Sequence, residues 1–254
     1  MFADGPVTSG MKRLSILSVL LGLVILGLIF KPYIRAAPSS VIQRFAKTRT
    51  VAERVQQYGA QARGRLRPHF QRAQLAYPPG KVALVGLKAE RLLQVYAAGP
   101  TNGYRFIRSY HILAASGMPG PKLREGDGQV PEGVYPIESL NPNSRFHLSL
   151  RIGYPSPADR AQAERDGRKD LGGDIMIHGS SVSVGCLAMG DEAAEDLFVL
   201  AADTGLQNMT VILSPVDFRR GASVPKAAKL PVWTDSLYAQ IRSQLASLPL
   251  PKPK

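Results

Sequence analysis

Ile175-Met176-Ile177-His178-Gly179-Ser180-Ser181-Val182-Ser183-Val184-Gly185-Cys186 holds the only cysteine of the chain, eight residues after a histidine and among small residues. A lone thiol forms no internal disulfide. In an exported chain it is idle, paired with another chain, or a nucleophile. A buried structural cysteine more usually sits in an apolar run, whereas this one follows Ser-Val-Gly. Thiols attack carbonyls as thiolates, and an imidazole that takes the proton is the simplest activation. Spacing alone leaves two readings: an inert packed cysteine, or a thiol of lowered pKa activated by His178.

Further motifs surround the pair. Upstream lies Lys122-Leu-Arg-Glu-Gly-Asp-Gly-Gln-Val-Pro-Glu-Gly-Val-Tyr135, preceded by Lys88-Ala89-Glu90-Arg91 and followed by Tyr154-Pro155. Together with His-Gly-Ser-Ser-Val-Ser-Val-Gly-Cys-Leu-Ala-Met, these resemble the L,D-transpeptidase (YkuD-type) catalytic domain family, and within it the YafK-like branch. The resemblance runs from about Lys81 to Arg219. It implies the compact β-sandwich of that family and a cell-envelope enzyme acting on peptidoglycan stem peptides, with no metal or cofactor.

The chemistry expected is cysteine acyl transfer. Cys186 attacks an amide carbonyl; His178 takes the thiol proton and later protonates the leaving amine. The acyl group then passes to an amine or to water. The resemblance implies that a backbone carbonyl just after the histidine orients the imidazole, here at Gly179 or Ser180. The oxyanion needs backbone N–H donors, and Gly185 and Cys186 are candidates because glycine lets the chain approach a substrate closely. Ser183 matches the serine of the family's Ser-x-Gly-Cys element. Two positions depart from many family members, Val184 in place of His and Ala188 in place of Arg. They leave the acyl acceptor open: amine, as in cross-linking, or water, releasing a lipoprotein tethered to peptidoglycan. A non-catalytic wall-binding module is the third reading, against which the intact His178/Cys186 pair argues.

The formal net charge of +13 calls for an anionic neighbour: nucleic acid, a membrane surface or an acidic polymer. Basic residues are not interleaved with stacking aromatics, which excludes nucleic acid. His69, His111, His147 and His178 have no metal-ligand spacing with one another or with Cys186. Leu14–Phe30 is an uncharged apolar run of seventeen residues, flanked by Lys12 and Arg13 and by Lys31 and Arg35. Without an obvious cleavage site, it reads as an uncleaved anchor in the inner membrane rather than a cleaved leader. Residues 1–13 would then be a cytoplasmic arm and the catalytic domain would be periplasmic. Met11 begins a conventional Met-Lys-Arg leader and is an alternative start to Met1.

Residues 31–80 read as a basic helical stalk. Between Lys31 and Arg72 there are ten Lys/Arg against Glu53 alone. The stalk is either solvated or drawn to an anionic membrane surface. Val51–Leu75 has helical spacing, with Val55, Tyr58, Ala62 and Leu66 on one face and breaks at Gly64 and Pro68. Residues 81–219 are the expected catalytic domain, mainly β with a few helices. Val82–Leu87 and Leu92–Ala97 form a hairpin, and Tyr104–Ala114 is a further strand. Gly126-Asp127-Gly128 is a turn in a long loop. Phe146, Leu148, Leu150 and Ile152 alternate onto one strand face, with His147, Ser149 and Arg151 opposite; His147 reads as a surface residue. Residues 155–173 form a loop with a short helix, and Asp174–Ile177 is a strand ending at His178. A helix begins at Gly190-Asp191-Glu192, buries Leu197, Leu200 and Ala201, and is capped by Gly205. Met209–Leu213 is the last strand. Residues 220–254 read as a basic, Pro-rich extension with a helix at Thr234–Leu248.

Overall fold

The structure, a computed structural model, describes residues 48–99, 103–224 and 230–251. The apolar run Leu14–Phe30 and the first part of the basic segment, up to residue 47, lie outside the described residues. Among the described residues no helix is long and apolar enough to cross a membrane.

Helix α1 (Val51–Arg72) starts at a reciprocal cap: Thr50 accepts from Glu53 N, and Glu53 accepts from Thr50 N. Its buried residues Gly59, Ala62, Leu66 and Phe70 recur every three or four positions, one apolar stripe. The helix runs through Gly64 and Pro68, where the sequence suggests breaks, because that stripe is anchored in the domain core.

Among the described residues eight strands follow: β1 (Lys81–Leu87), β2 (Leu92–Ala98), β3 (Arg105–His111), β4 (Gly133–Ser144), β5 (His147–Ile152), β6 (Met176–His178), β7 (Leu187–Ala188) and β8 (Met209–Ser214). Helices α2 (Pro157–Arg165) and α3 (Asp191–Thr204) lie between them in sequence, and α4 (Thr234–Ala246) comes last. The strands make one mixed sheet in the order β3-β2-β1-β8-β4-β5-β6-β7, in which β1 pairs parallel with β8 and β6 parallel with β7. Its long strand β4 pairs with β8 through Gly133–Pro136 and with β5 beyond Ile137. The two ends meet: Ala114, just past β3, forms an antiparallel bridge with Ala188 of β7. The mainly-β content with few helices is as expected, but the strands form one continuous mixed sheet where the resemblance implies a β-sandwich. Sequence reasoning assigns no strand to Gly133–Ser144, which contains two prolines. Pro136 sits where β4 passes from one partner to the other, and its carbonyl accepts from Gly153 N.

One face of the sheet packs on α1 and α3, through Leu66, Phe70, Leu197, Phe198 and Leu200 against Leu84, Leu93, Val95 and Val211. The other face, from β1, β2 and β8, carries Ala83, Val85, Tyr96 and Ile212 and is covered by Tyr238, Ile241 and Leu245 of α4. Burial on both faces explains why β1 is an unbroken apolar run. Leu197, Leu200 and Ala201 are buried as expected.

Three expectations are corrected. Over Val51–Arg72 the basic segment is not a solvated stalk. Arg63 makes a bidentate pair with Asp203 at 2.8 and 2.7 Å, and Arg65 reaches Asp196 at 2.7 Å and Glu195 at 3.1 Å on α3. The acids of α3 consume this part of the basic charge. The C-terminal segment is likewise no appendage, since α4 closes the second core. Phe146 does not point into the core; it precedes β5 and is half-exposed, because His147, at φ +71°, reverses the alternation at the β4–β5 turn.

Phe70 is buried against the edge of Tyr77, with ring centroids 5.1 Å apart. Phe70→Ala is expected to cost about 3–5 kcal/mol, because the sheet cannot collapse into the gap. Chemical denaturation reads this directly. A change under about 1 kcal/mol would mean that α1 is not part of the cooperative domain.

Candidate active site

The sheet assembles the site at its β5-β6-β7 end. Ser149 lies opposite His178, and His178 opposite Ala188. Cys186, two residues before Ala188, becomes a diagonal neighbour of His178 across two parallel strands, beside Met176. His178 is 1% exposed. Its Nδ1 lies 2.6 Å from Gly179 O, and its ring stacks at 4.8 Å on Phe146. Burial pushes the imidazole below its ordinary pKa, and the Gly179 bond only partly opposes this. The neutral ring therefore donates from Nδ1 and presents Nε2 as a base.

The orienting carbonyl is that of Gly179, the first of the two expected positions. A side chain at Gly179 would meet Asp191 Oδ1 at 2.5 Å, Phe146 O at 2.8 Å and His147 Cβ at 2.9 Å, so only glycine fits. Ser180 does not face the imidazole: its φ is +62°, and its N–H donates to Asp191 Oδ1 at 2.7 Å.

The thiol rests away from the imidazole. Cys186 Sγ accepts from Met176 N at 3.4 Å and donates to Asp174 O at 3.5 Å; among the described residues no hydrogen bond joins it to His178. Burial, and secondarily the Asp174 charge, push the thiol above its ordinary pKa, while Met176 N–H and Lys122 pull it down. The expectation of a thiol of lowered pKa is thus corrected for the resting site: both partners are held neutral. A proton passing from the thiol to Nε2 would first have to leave its bond to Asp174 O. Asp174 itself pairs with Arg151 at 2.9 Å.

Both expected oxyanion donors are occupied at rest. Gly185 N–H, at φ +81°, donates to Ser116 Oγ at 2.6 Å, and Cys186 N–H donates to Ser183 Oγ at 3.1 Å. Ser183 therefore accepts from the backbone amide of Cys186 itself. Ser116 in turn donates to Gly128 O at 2.6 Å. A carbonyl oxygen entering here displaces the hydroxyls or is served by them.

Sequence reasoning missed Ser116, which belongs to no motif, and the true contacts of Asp191, which it read only as an acid at a helix start. It also missed Ser149, whose buried hydroxyl beside His178 has no hydrogen-bond partner among the described residues. His147 bonds Glu195 at 3.0 Å and meets Tyr58 edge-on. Two of the quoted motifs are structural. Lys88 pairs with buried Glu132 at 2.9 Å, and Lys122 with Asp127 at 2.7 Å. Asp127 also accepts from Leu123, Arg124 and Gln129 N–H, which shapes the Gly126–Gly128 turn. Burial would raise Asp127, but Lys122 and these amides bring it below its ordinary pKa.

Residues 80–213 match the family model described as YkuD, the L,D-transpeptidase catalytic domain. The chain is 38% identical over 113 residues to the putative L,D-transpeptidase YafK of Escherichia coli K12, over 44% of this chain and 43% of that protein. The match thus spans less than half the length of this curated relative. Among solved structures, the chain is similar to the helical cell shape determining protein Pgp2 of Campylobacter jejuni, with a TM-score of 0.46 and 20% identity, covering 60% of this chain and 52% of that one. Mycobacterium tuberculosis L,D-transpeptidase 1 is similar at a TM-score of 0.30 and 15% identity, covering 53% of this chain and 62% of that one.

Proposed function

The chain belongs to the YkuD family of L,D-transpeptidase catalytic domains, and from that premise we propose that it is a cell-envelope cysteine acyl-transfer enzyme acting on peptidoglycan stem peptides. The observation that carries the reading is the pairing of β6 with β7, which sets His178, its Nδ1 committed to Gly179 O, diagonally beside the lone thiol of Cys186. Cys186 Sγ attacks the amide carbonyl as its proton passes to His178 Nε2. The C–N bond breaks, the proton goes to the leaving amine, and an acyl-enzyme remains. An incoming amine or water then releases the acyl group, with His178 taking the new proton. The buried imidazole and thiol suit proton transfer between two neutral partners once substrate has excluded water.

A second reading, water as acceptor and a peptidoglycan-linked lipoprotein as substrate, is favoured by the apolar rim. Leu113, Met118, Phe146, Val182 and Val184 are all exposed, Val184 at 83%. Phe146 packs on His178, and Val182 and Val184 lie in the segment leading to Cys186; exposed apolar side chains there offer little to a sugar–peptide polymer and much to a protein surface. In both readings Leu14–Phe30 anchors the protein in the inner membrane with the catalytic domain periplasmic. The basic residues around it are then drawn to the anionic leaflet.

The test incubates the purified full-length protein with muropeptides and, separately, with sacculi carrying covalently linked lipoprotein. Mass spectrometry is expected to show new cross-links in the first or released lipoprotein in the second, with neither in Cys186→Ala. Absence of both products from the unmodified protein would reject the enzymatic reading in favour of a wall-binding module.

A further inference from the structure

The peptide group between Gly179 and Ser180 is held at both ends. Its carbonyl oxygen lies 2.6 Å from His178 Nδ1, and its N–H donates to Asp191 Oδ1 at 2.7 Å. One planar amide therefore joins the imidazole to a carboxylate. Hydrogen bonds in such a chain polarise one another. A carboxylate that accepts the N–H shifts electron density onto the carbonyl oxygen, making it a stronger acceptor for the Nδ1 proton.

The local backbone is built around this contact. Ser180 is held in the left-handed region, at φ +62°, by bonds on both of its sides: Asp191 takes its N–H, and its carbonyl accepts from Gly190 N at 2.9 Å. Such a conformation is costly for a residue with a side chain and persists only where surrounding bonds impose it. Beyond the helix-start charge that it shares with Glu192, the side chain of Asp191 makes one hydrogen bond among the described residues, to Ser180 N–H. Its helix is capped by Gly190 without a side-chain bond, and Asp191 makes no ion pair among the described residues. Its neighbour Glu192, largely exposed near Arg65, supplies acidic charge to the same first turn without touching the His178 loop.

We propose that Asp191 is a positioning residue for His178, acting through the Gly179–Ser180 peptide to fix the proton on Nδ1 and strengthen Nε2 as the base toward Cys186. The arrangement does the work of an acid–histidine pair with an amide inserted between the two. It rests on the reading of Cys186 and His178 as nucleophile and base. It needs no assumption about the acyl acceptor.

The lone thiol makes the test independent of substrate. Alkylation of the full-length protein by iodoacetamide at neutral pH is followed by intact mass, where one adduct reports Cys186 alone. If the relay is worth about one pKa unit on His178, Asp191→Asn slows alkylation about tenfold. Asn keeps an oxygen to accept from Ser180, so the loop is retained and the melting temperature stays within a few degrees. Asp191→Ala slows alkylation at least as much, and Glu192→Gln leaves it unchanged. The Nδ1–H resonance of His178 moves upfield in Asp191→Asn, which a purely structural role would not produce. If His178→Ala slows alkylation while both Asp191 variants react at the unmodified rate, the relay is overturned and the nucleophile–base reading survives. If His178→Ala itself has no effect, both fall. Should Asp191→Ala not fold, Asp191→Asn decides.

Discussion

Alanine in place of Cys186 is expected to lower turnover by at least about four orders of magnitude while leaving the fold in place. The chain has no second thiol to substitute for it. The side chain's structural ties are weak: long contacts to Met176 N and Asp174 O, at 3.4 and 3.5 Å. Losing them costs at most about 1–2 kcal/mol, small against the stability of a domain. His178→Ala is expected to be comparably inactive. The double variant should be little worse than either single one, because nucleophile and base act as a unit. Three measurements check this: product release from sacculi, acyl-enzyme mass and thermal melting. Turnover retained in Cys186→Ala would falsify the nucleophile assignment. Loss of turnover accompanied by unfolding would show instead that the cysteine is structural.

The second large effect is on stability. Glu132→Ala is expected to lower the melting temperature by on the order of 10 °C, from a loss of about 3–5 kcal/mol. Glu132 is 1% exposed and has three partners: Lys88 Nζ at 2.9 Å, Gly120 N at 2.8 Å and Tyr238 OH at 2.9 Å. Removing the carboxylate leaves the Lys88 ammonium buried without its counter-charge, and two further donors unpaired. Burial already pushes Lys88 below its ordinary pKa, with Glu132 opposing. Lys88 also donates to Gly120 O and Val130 O, so the pair clamps both ends of the loop that carries Lys122–Gly128. Gly128 O in turn holds Ser116 against Gly185 N–H. The loss is therefore expected to loosen the thiol's loop as well as the core. Pairing Glu132→Leu with Lys88→Met should recover much of the stability, since an apolar pair leaves no charge uncompensated. Melting of Glu132→Ala within about 2 °C of the unmodified protein would sink the idea.

The candidate site was legible in the sequence because it is written locally. His178 and Cys186 stand eight residues apart in one glycine- and serine-rich stretch, and the flanking motifs carry the family resemblance. Elements with strong internal periodicity were equally readable: β1, β2 and β8, the stripe of α1, and α3 with its acidic start and Gly205 end. What only the tertiary structure decided joins distant segments. The basic residues of α1 carry no mark that Asp203 and Asp196 will take Arg63 and Arg65, more than a hundred residues away. Strand β4 hides behind Pro136 and Pro142: the first sits where the strand changes partner, the second at an irregularity in its pairing with β5. Nor could spacing show that Ser116 and Ser183 occupy the amides of Gly185 and Cys186, or that burial holds the thiol and the imidazole neutral at rest. A sequence specifies which groups can donate, accept or ionise. Which donor meets which acceptor, and how much water remains between them, is set by packing, because desolvation and long-range pairing exist only once the chain has closed on itself.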